Sequence, residues 1–468
     1  MAKVQKTMGG ARHGWVALLL MAVSGATAVP VASANDLLDL YHLAEKHDAT
    51  LQAAVAQRDA AIEAKPQALA LLLPQVSVNA DAERLRIGQQ LAEQTVAGTT
   101  ITGCQIAAGA ANEVCFGDSH GYGLSLSQTL WSFQSFSQLR EASATAAEAE
   151  ATLIAAQQSL MLRVAAAYFG ILSARDTLAS FQGARDSFRT QLNQARSREQ
   201  TGVGTRSDSE QAQAYFDATE QNVIDAQNAV DDAVLLMTEI TGAAGAIVAP
   251  LRESIPLEAP DPASVDDWVS AALKDNPVVR AAELQVQAAD HDIDVQRGKG
   301  LPSVALTGGR SRYWQDLSID GNQADDQIAI SVTWPLFQGG AVASEIRQSR
   351  ANWKQALALY AGAQRDAERV TRSSYRDVVT GISRIAAARR TVDSRRVAVE
   401  ASRRDVEFGT QVEFNLLIAQ NSYYGSERAY SQTRYDYLTA LLTLKQQAGR
   451  LSETDLATVD ALLVGHTP

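Results

Sequence analysis

The feature that most constrains the fold is an internal duplication. The run His47–Ala80 (HDATLQAAVAQRDAAIEAKPQALALLLPQVSVNA) returns at Asp275–Gly308 (DNPVVRAAELQVQAADHDIDVQRGKGLPSVALTG), 228 positions later and without a gap. A second block repeats at a spacing of 207, which sets Tyr168 on Tyr375, Gly202 on Gly409 and Gly242 on Gly449. A chain written twice in this way is built from equivalent units that stack rather than from one irregular core. Each unit reads helix, strand, strand, helix, an order that suits the wall of a tube better than a pocket.

Helix dominates each unit. From Ser135 to about Gln200 there is no proline, and Ala341 to about Phe408 behaves alike. Each stretch is about 65 residues, or about 100 Å at about 1.5 Å per residue. In the helix that follows, apolar residues recur every seven positions: Phe216, Val223, Val230 and Met237, matched in phase by Tyr423, Tyr430, Tyr437 and Leu444. A heptad predicts coiled-coil packing; the alternative is an ordinary bundle core.

Strand patterns are few and sit at equivalent places. Val76, Val78 and Ala80 alternate with polar residues after Pro74, and Tyr122, Leu124 and Leu126 do so before Trp131. In the second copy, Val304 and Leu306 follow Pro302, and Ile328, Ile330, Val332 and Trp334 alternate before Pro335. Period-two patterns beside aromatic residues suit membrane strands. Four strands cannot close a barrel, and open edges are not tolerated in lipid, so membrane strands of this kind require several chains to share one barrel. The alternative is a soluble edge hairpin. The hairpins are joined by polar loops at about 87–120 and 316–326. The second carries Asp316, Asp320, Asp325 and Asp326, which do not match an EF-hand spacing.

The first 34 residues read as a secretory signal peptide: Lys3, Lys6 and Arg12, then an apolar Trp15–Val23, then Ala32-Ser33-Ala34, with Asn35 as the mature terminus. Its loss removes three positive charges from a chain of net charge −12, leaving −15. That balance argues against nucleic acid as a partner, because phosphate binding needs a basic surface. No later stretch is apolar enough for a transmembrane helix, which leaves a β-barrel open. Cys104 and Cys115 are the only cysteines. In an oxidising compartment they are candidates for a disulfide, with two free thiols as the alternative. The mature histidines, His42, His47, His120, His291 and His466, are scattered, and no nucleophile–base arrangement or phosphate loop accompanies them. The chain is not expected to be an enzyme, and neither cofactor nor metal is expected.

This order of elements resembles the TolC family of outer-membrane efflux proteins. The segment QIAISVTWPLFQGG at Gln327–Gly340 is similar to the family's last strand running into a helix, and YGLSLSQTLWSFQS at Tyr122–Ser135 is its first-copy partner. The start of the mature chain, DLLDLYHLAEKHDATLQAA, is similar to members paired with type I secretion systems. The resemblance covers nearly all of residues 36–450. It implies a mainly helical chain with transmembrane strands, forming a homotrimer with one twelve-stranded β-barrel in the outer membrane, four strands from each chain. The barrel continues as a periplasmic coiled-coil tunnel. The implied division is a first repeat over 35–245, a linker over 246–275, a second repeat over 276–450 and a tail over 451–468. The linker, with Pro250, Pro256, Pro260 and Pro262, is expected to pack outside the tube with the tail. The implied function is a passive exit duct for a periplasmic adaptor and an inner-membrane ABC or RND-type pump, with type I protein secretion favoured over drug efflux. The rival reading is a soluble periplasmic coiled-coil adaptor or scaffold.

The resemblance also places candidate sites. Gly202, Val203, Gly204 and Thr205 in one turn, and Gly409 and Thr410 in the other, are implied periplasmic tips for adaptor docking; tight helix reversal alone also explains the glycines. Asp208 matches a position that ties the closed entrance, or is simply an acid favoured by the helix N-terminus. Where studied members carry a basic residue and two acids, this chain has Gln411, Asn415 and Ile418, so Arg206 and Glu413 are the substitute candidates. Arg389, Arg396 and Arg403 lie seven apart, with Asp393 and Glu400 four residues after an arginine. Helix-stabilising ion pairs are favoured there over an adaptor groove.

Overall fold

The computed structural model describes residues 36–89, 113–245, 247–315 and 322–464. The signal peptide, Cys104, Asp316 and Asp320 lie outside them, as does any pairing of Cys104 with Cys115. The elements are α1 (Leu37–His47), α2 (Ala49–Ile62), α3 (Ala64–Ala70), β1 (Gln75–Gln89), β2 (Glu113–Ser132), α4 (Phe133–Gln200), α5 (Arg206–Thr241), α6 (Val265–Asp275), α7 (Pro277–Gly298), β3 (Ser303–Gln315), β4 (Asn322–Thr333), α8 (Ala341–Glu407), α9 (Glu413–Gln447) and α10 (Glu453–Asp460).

The duplication is visible element by element. α1 and α6 coincide when shifted by 228, so the second unit begins inside the stretch read as linker, eleven residues before 276. α2 and α3 together correspond to α7. The first copy breaks after Ile62 because Pro66 supplies no amide hydrogen to the preceding turn; the equivalent Asp294 does, and α7 runs through. Asp48 and Asn276 are equivalent N-caps. Asp48 accepts from the Leu51 amide at 2.7 Å, and Asn276 accepts from Val278 and Val279.

The four strands form one antiparallel sheet in the order β1-β2-β3-β4. They are longer than the sequence pattern indicates. β1 reaches Gln89 and β2 starts at Glu113, so both strands extend into the expected loop, and Asp325 and Asp326 belong to β4 rather than to a loop. Backbone pairing continues where side-chain alternation no longer marks it, and Asp326 is held by Arg310 across the ladder at 3.3 Å.

The helices α4 and α8 are 68 and 67 residues long, close to the expected extents. Below the sheet, α5 packs on α4, α4 on α9 and α9 on α8, giving a row α5–α4–α9–α8 with α5 and α8 at its edges. Of the heptad row on α5, Val230 and Met237 are buried and Phe216 and Val223 half-buried. A large apolar core gathers Leu37, Leu40, Leu160, Tyr168, Leu442 and Leu444, and a smaller one around Phe188, Leu192, Ala212 and Leu417 lies nearer the turns. The linker and tail pair with each other: Leu251 bridges Leu463, and the Val464 amide donates to the Pro250 carbonyl at 2.8 Å. The duplicated tyrosines tie both ends of the linker, Tyr168 donating to the Ala249 carbonyl at 3.0 Å and Tyr375 to that of Ala263.

Candidate functional site

Two regions carry the chemistry expected of a duct: the sheet and the opposite end of the helical row. In an antiparallel sheet, residues directly opposite each other share a face. Val76 faces Leu126 and Val78 faces Leu124. Leu306 faces Ile330 and Val304 faces Val332. This face is apolar and exposed: Val78 is 75 % and Ile328 79 % exposed. The other face carries Ser77, Asn79, Ser125, Ser127, Thr307 and Ser331, with Ser77 and Ser125 hydrogen-bonded across the ladder at 2.7 Å. One face suits lipid and the other water. The outer edges of β1 and β4 have no strand beside them among the described residues. In hydrocarbon those backbone groups need partners, which only further copies of the sheet supply. No described helix is long and apolar enough to cross a membrane, and no described cluster of His, Cys, Asp and Glu could hold a metal ion.

At the far end, α4 turns into α5 and α8 into α9 by the same device. Gly202 has φ +75° and Gly409 φ +71°. The amides of Val203 and Gly204 both reach the Arg198 carbonyl, and those of Thr410 and Gln411 reach that of the equivalent Asp405. A left-handed glycine followed by such bonds closes the orphan carbonyls of a helix end. The turns present apolar side chains to solvent, with Val203 82 % and Phe408 78 % exposed.

The residues expected at the entrance are brought together only in part. Asp208 and Thr205 form a capping box: the Thr205 amide donates to the Asp208 carboxylate at 3.3 Å, and the Asp208 amide donates to the Thr205 hydroxyl at 3.2 Å. Arg206 pairs with Glu210 along its own exposed helix face. Asn415 donates to Gln411 at 3.3 Å. The contact that joins the two copies here is Glu413 at the start of α9 with Arg198 at the end of α4, at 3.4 Å. Glu413 is 6 % exposed, and its Oε1 has no hydrogen-bond partner. Burial raises its pKa and nearby Asp208 adds to the rise, while Arg198 opposes it. Arg198 was not legible in the sequence, since its counterpart in the second copy is the acid Asp405 and no pattern marks it. On the arginine stripe, Arg396 pairs with Asp393 at 3.5 Å on an exposed face.

The sequence profile of the family described as outer membrane efflux protein matches residues 40–243 and 268–450. The chain is 30 % identical over 442 residues to the alkaline protease secretion protein AprF of Pseudomonas aeruginosa, covering 93 % of this chain and 89 % of that protein. It is 29 % identical over 441 residues to the outer membrane protein TolC of Vibrio cholerae, covering 92 % and 94 %. Its fold matches the Campylobacter jejuni CmeC outer membrane channel with a TM-score of 0.75 at 17 % identity, covering 92 % of this chain and 90 % of that one. Channels of the TolC type are homotrimers that work with adaptors and inner-membrane pumps. The two-faced sheet, the paired long helices and these matches together show that the chain belongs to the outer membrane efflux protein family: it is an outer-membrane channel that reaches into the periplasm, not an enzyme.

Proposed function

We propose that this channel is the exit duct of a type I protein secretion system, receiving cargo from an inner-membrane ABC pump through a periplasmic adaptor. The observation that carries this reading is the likeness, over nearly the whole chain, to a relative named for secretion of an alkaline protease. An RND-type pump with small-molecule cargo would use the same walls, because a passive duct does not select cargo. Deleting the gene is expected to remove one or a few large proteins from the culture medium, with complementation restoring them. An unchanged set of secreted proteins, together with new sensitivity to antibiotics and bile salts, would assign the channel to efflux.

We further propose that the turns at Gly202–Thr205 and Gly409–Thr410 form the periplasmic entrance and receive the adaptor, and that the entrance is held shut partly by Arg198 and Glu413. The pair links the end of α4 to the start of α9, so separating the two helical hairpins of one chain must break it. Asp208 contributes the helix start through its box with Thr205 and adds negative potential beside Glu413. A carboxyl whose pKa is raised in the folded protein takes up its proton at a higher pH than an ordinary glutamate. Acidification therefore protonates Glu413 before the surface carboxylates, and the buried contact is stabilised at low pH and weakened as the pH rises through the raised pKa. In planar bilayers, wild-type conductance is expected to fall as the pH falls toward the ordinary glutamate range, because the proton is bound more tightly in the closed arrangement. Glu413→Gln, which keeps the shape without the buried charge, should give low conductance at neutral pH with this dependence removed. A Glu413→Gln channel as conductive at neutral pH and as pH-sensitive as wild type would remove the tie from the mechanism.

A further inference from the structure

The apolar face of the sheet changes character along its length. Near the helices it carries Val76, Leu126, Leu306 and Ile330. Toward the other end arginines enter the same face: Arg310 opposite Leu124, Arg312 opposite Tyr122, and Arg84 opposite Asp118. Two of the three are neutralised within the sheet. Asp118 holds Arg84 at 3.4 Å, and Asp326 holds Arg310 at 3.3 Å. Arg312 is exposed and makes no ion pair among the described residues. Tyr122 stands across from it on β2, and the small Ala324 on β4. Trp314, two residues further on, stacks on His120 with ring centroids 5.3 Å apart and tilts against Tyr122 at 5.7 Å.

This end of the sheet is the outer one. The long helices follow the strands at the opposite end, after Ser132 and Thr333, and the channel reaches from the outer membrane into the periplasm. At that inner end Trp131 faces Val304, and Trp334 follows β4; both are exposed. From position 304 to positions 312 and 314 is eight and ten residues along β3. At about 3.4 Å per residue that is about 27–34 Å of strand. Strands of membrane barrels tilt by about 35–45°, which leaves about 19–28 Å along the membrane normal. The outward apolar band of such a barrel is about 25 Å tall, with aromatic girdles at both rims. Trp131 and Trp334 therefore mark the inner rim, and Tyr122, Arg312 and Trp314 the outer one.

We infer that Arg312 binds the phosphate of a glycolipid headgroup in the outer leaflet, with Tyr122 and Trp314 lying against the same lipid. The outer leaflet of a Gram-negative outer membrane is built of glycolipids whose sugars carry phosphates, so an unpaired cation at this rim faces a complementary charge. A charged side chain on the lipid face is costly at the middle of the membrane but costs little at its rim. The aliphatic stem of an arginine lies along apolar surface while its fork reaches the polar level. There the guanidinium presents two donors to one phosphate, a bidentate contact stronger than a neutral hydrogen bond. Asp118 and Asp326 do not repel the phosphate as free acids would, because each already holds an arginine. The site goes beyond the transport reading and holds for either cargo; it needs only the channel's place in the outer membrane.

The test is lipid binding to the full chain in detergent, counted by native mass. The probes are bisphosphorylated lipid A, the same lipid with both phosphates removed, and phosphatidylglycerol. Wild type is expected to bind bisphosphorylated lipid A at least about tenfold more tightly than the dephosphorylated lipid, because hydrogen bonds between charged groups are the strong class. R312Q should lose most of this preference. R312K should keep part of it, since lysine retains the charge but not the fork. A wild type indifferent to the phosphates, or an R312Q channel with the wild-type preference, would overturn the site. Phosphatidylglycerol bound as tightly as bisphosphorylated lipid A would overturn the glycolipid as its occupant. The wild-type comparison of the lipids carries the test even for an R312Q chain that does not fold.

Discussion

Gly449→Ala is expected to destabilise the protein by more than about 3 kcal/mol, combining left-handed strain with a backbone clash. Gly449 follows the last turn of α9 with φ +69°, and a Cβ placed there would lie 2.1 Å from the carbonyl oxygen of Asp275. That carbonyl is backbone at the junction of α6 and α7, so relief requires moving a helix end rather than turning a side chain. The duplicate position gives an internal control. Gly242 has φ +68°, but its added Cβ would lie 3.1 Å from the His47 Cβ, a contact that a shift of only a few tenths of an ångström relieves. Gly242→Ala should therefore cost only the conformational part, about 1–2 kcal/mol. Thermal unfolding of the two variants in detergent, followed by circular dichroism, separates them. Equal shifts would mean that the close approach at Gly449 does not govern its identity.

Asp48→Ala is the second large effect, at about 2–4 kcal/mol: a lost helix cap adds to a lost charged partner, the latter reduced because the partner is part-exposed. Asp48 is 4 % exposed. It caps α2 and receives both guanidinium nitrogens of Arg163, each at 2.9 Å. Those hydrogen bonds from Arg163 lower its pKa, with the Leu51 amide helping and burial opposing. A depressed carboxyl pKa means that the stability it contributes is present above the unfolded value of 3.8 and is lost as the pH falls through the lower folded value. Wild type should therefore lose stability in that acid range, and Asp48→Ala should lose less there because it has already lost the term. Asp48→Asn keeps the cap, as the equivalent Asn276 shows, and forfeits only the pairing with Arg163. An Asp48→Ala protein with wild-type stability and wild-type acid sensitivity would show that α4 holds the first repeat without this residue.

The architecture was largely legible because it is written in local periods. Heptads, proline-free runs and period-two strands are properties of neighbouring residues, and the fixed offsets of 228 and 207 brought Gly202 and Gly409, and Gly242 and Gly449, to the same backbone conformation. The apolar face of the sheet followed from alternation alone, since Val76, Val78, Ile328 and Ile330 needed only their own spacing to share a face. Strand lengths did not follow. Asp325 and Asp326 read as loop because their polarity hides a ladder fixed by β3, whose Arg310 supplies the opposite charge.

At the entrance the division is sharper. The sequence alone determined the turns, their glycines and the helix-capping candidate Asp208, because each depends on residues within one or two helical turns. Only the tertiary structure decided that Glu413 meets Arg198, 215 positions away, and that Arg206 spends its charge on Glu210 instead. It also decided that α5 and α8 are edges rather than neighbours. A charged side chain records its own sign but not its partner's. Which charges meet is set by how long helices lie side by side, and that order is fixed by the apolar cores and the sheet, not by the charges themselves.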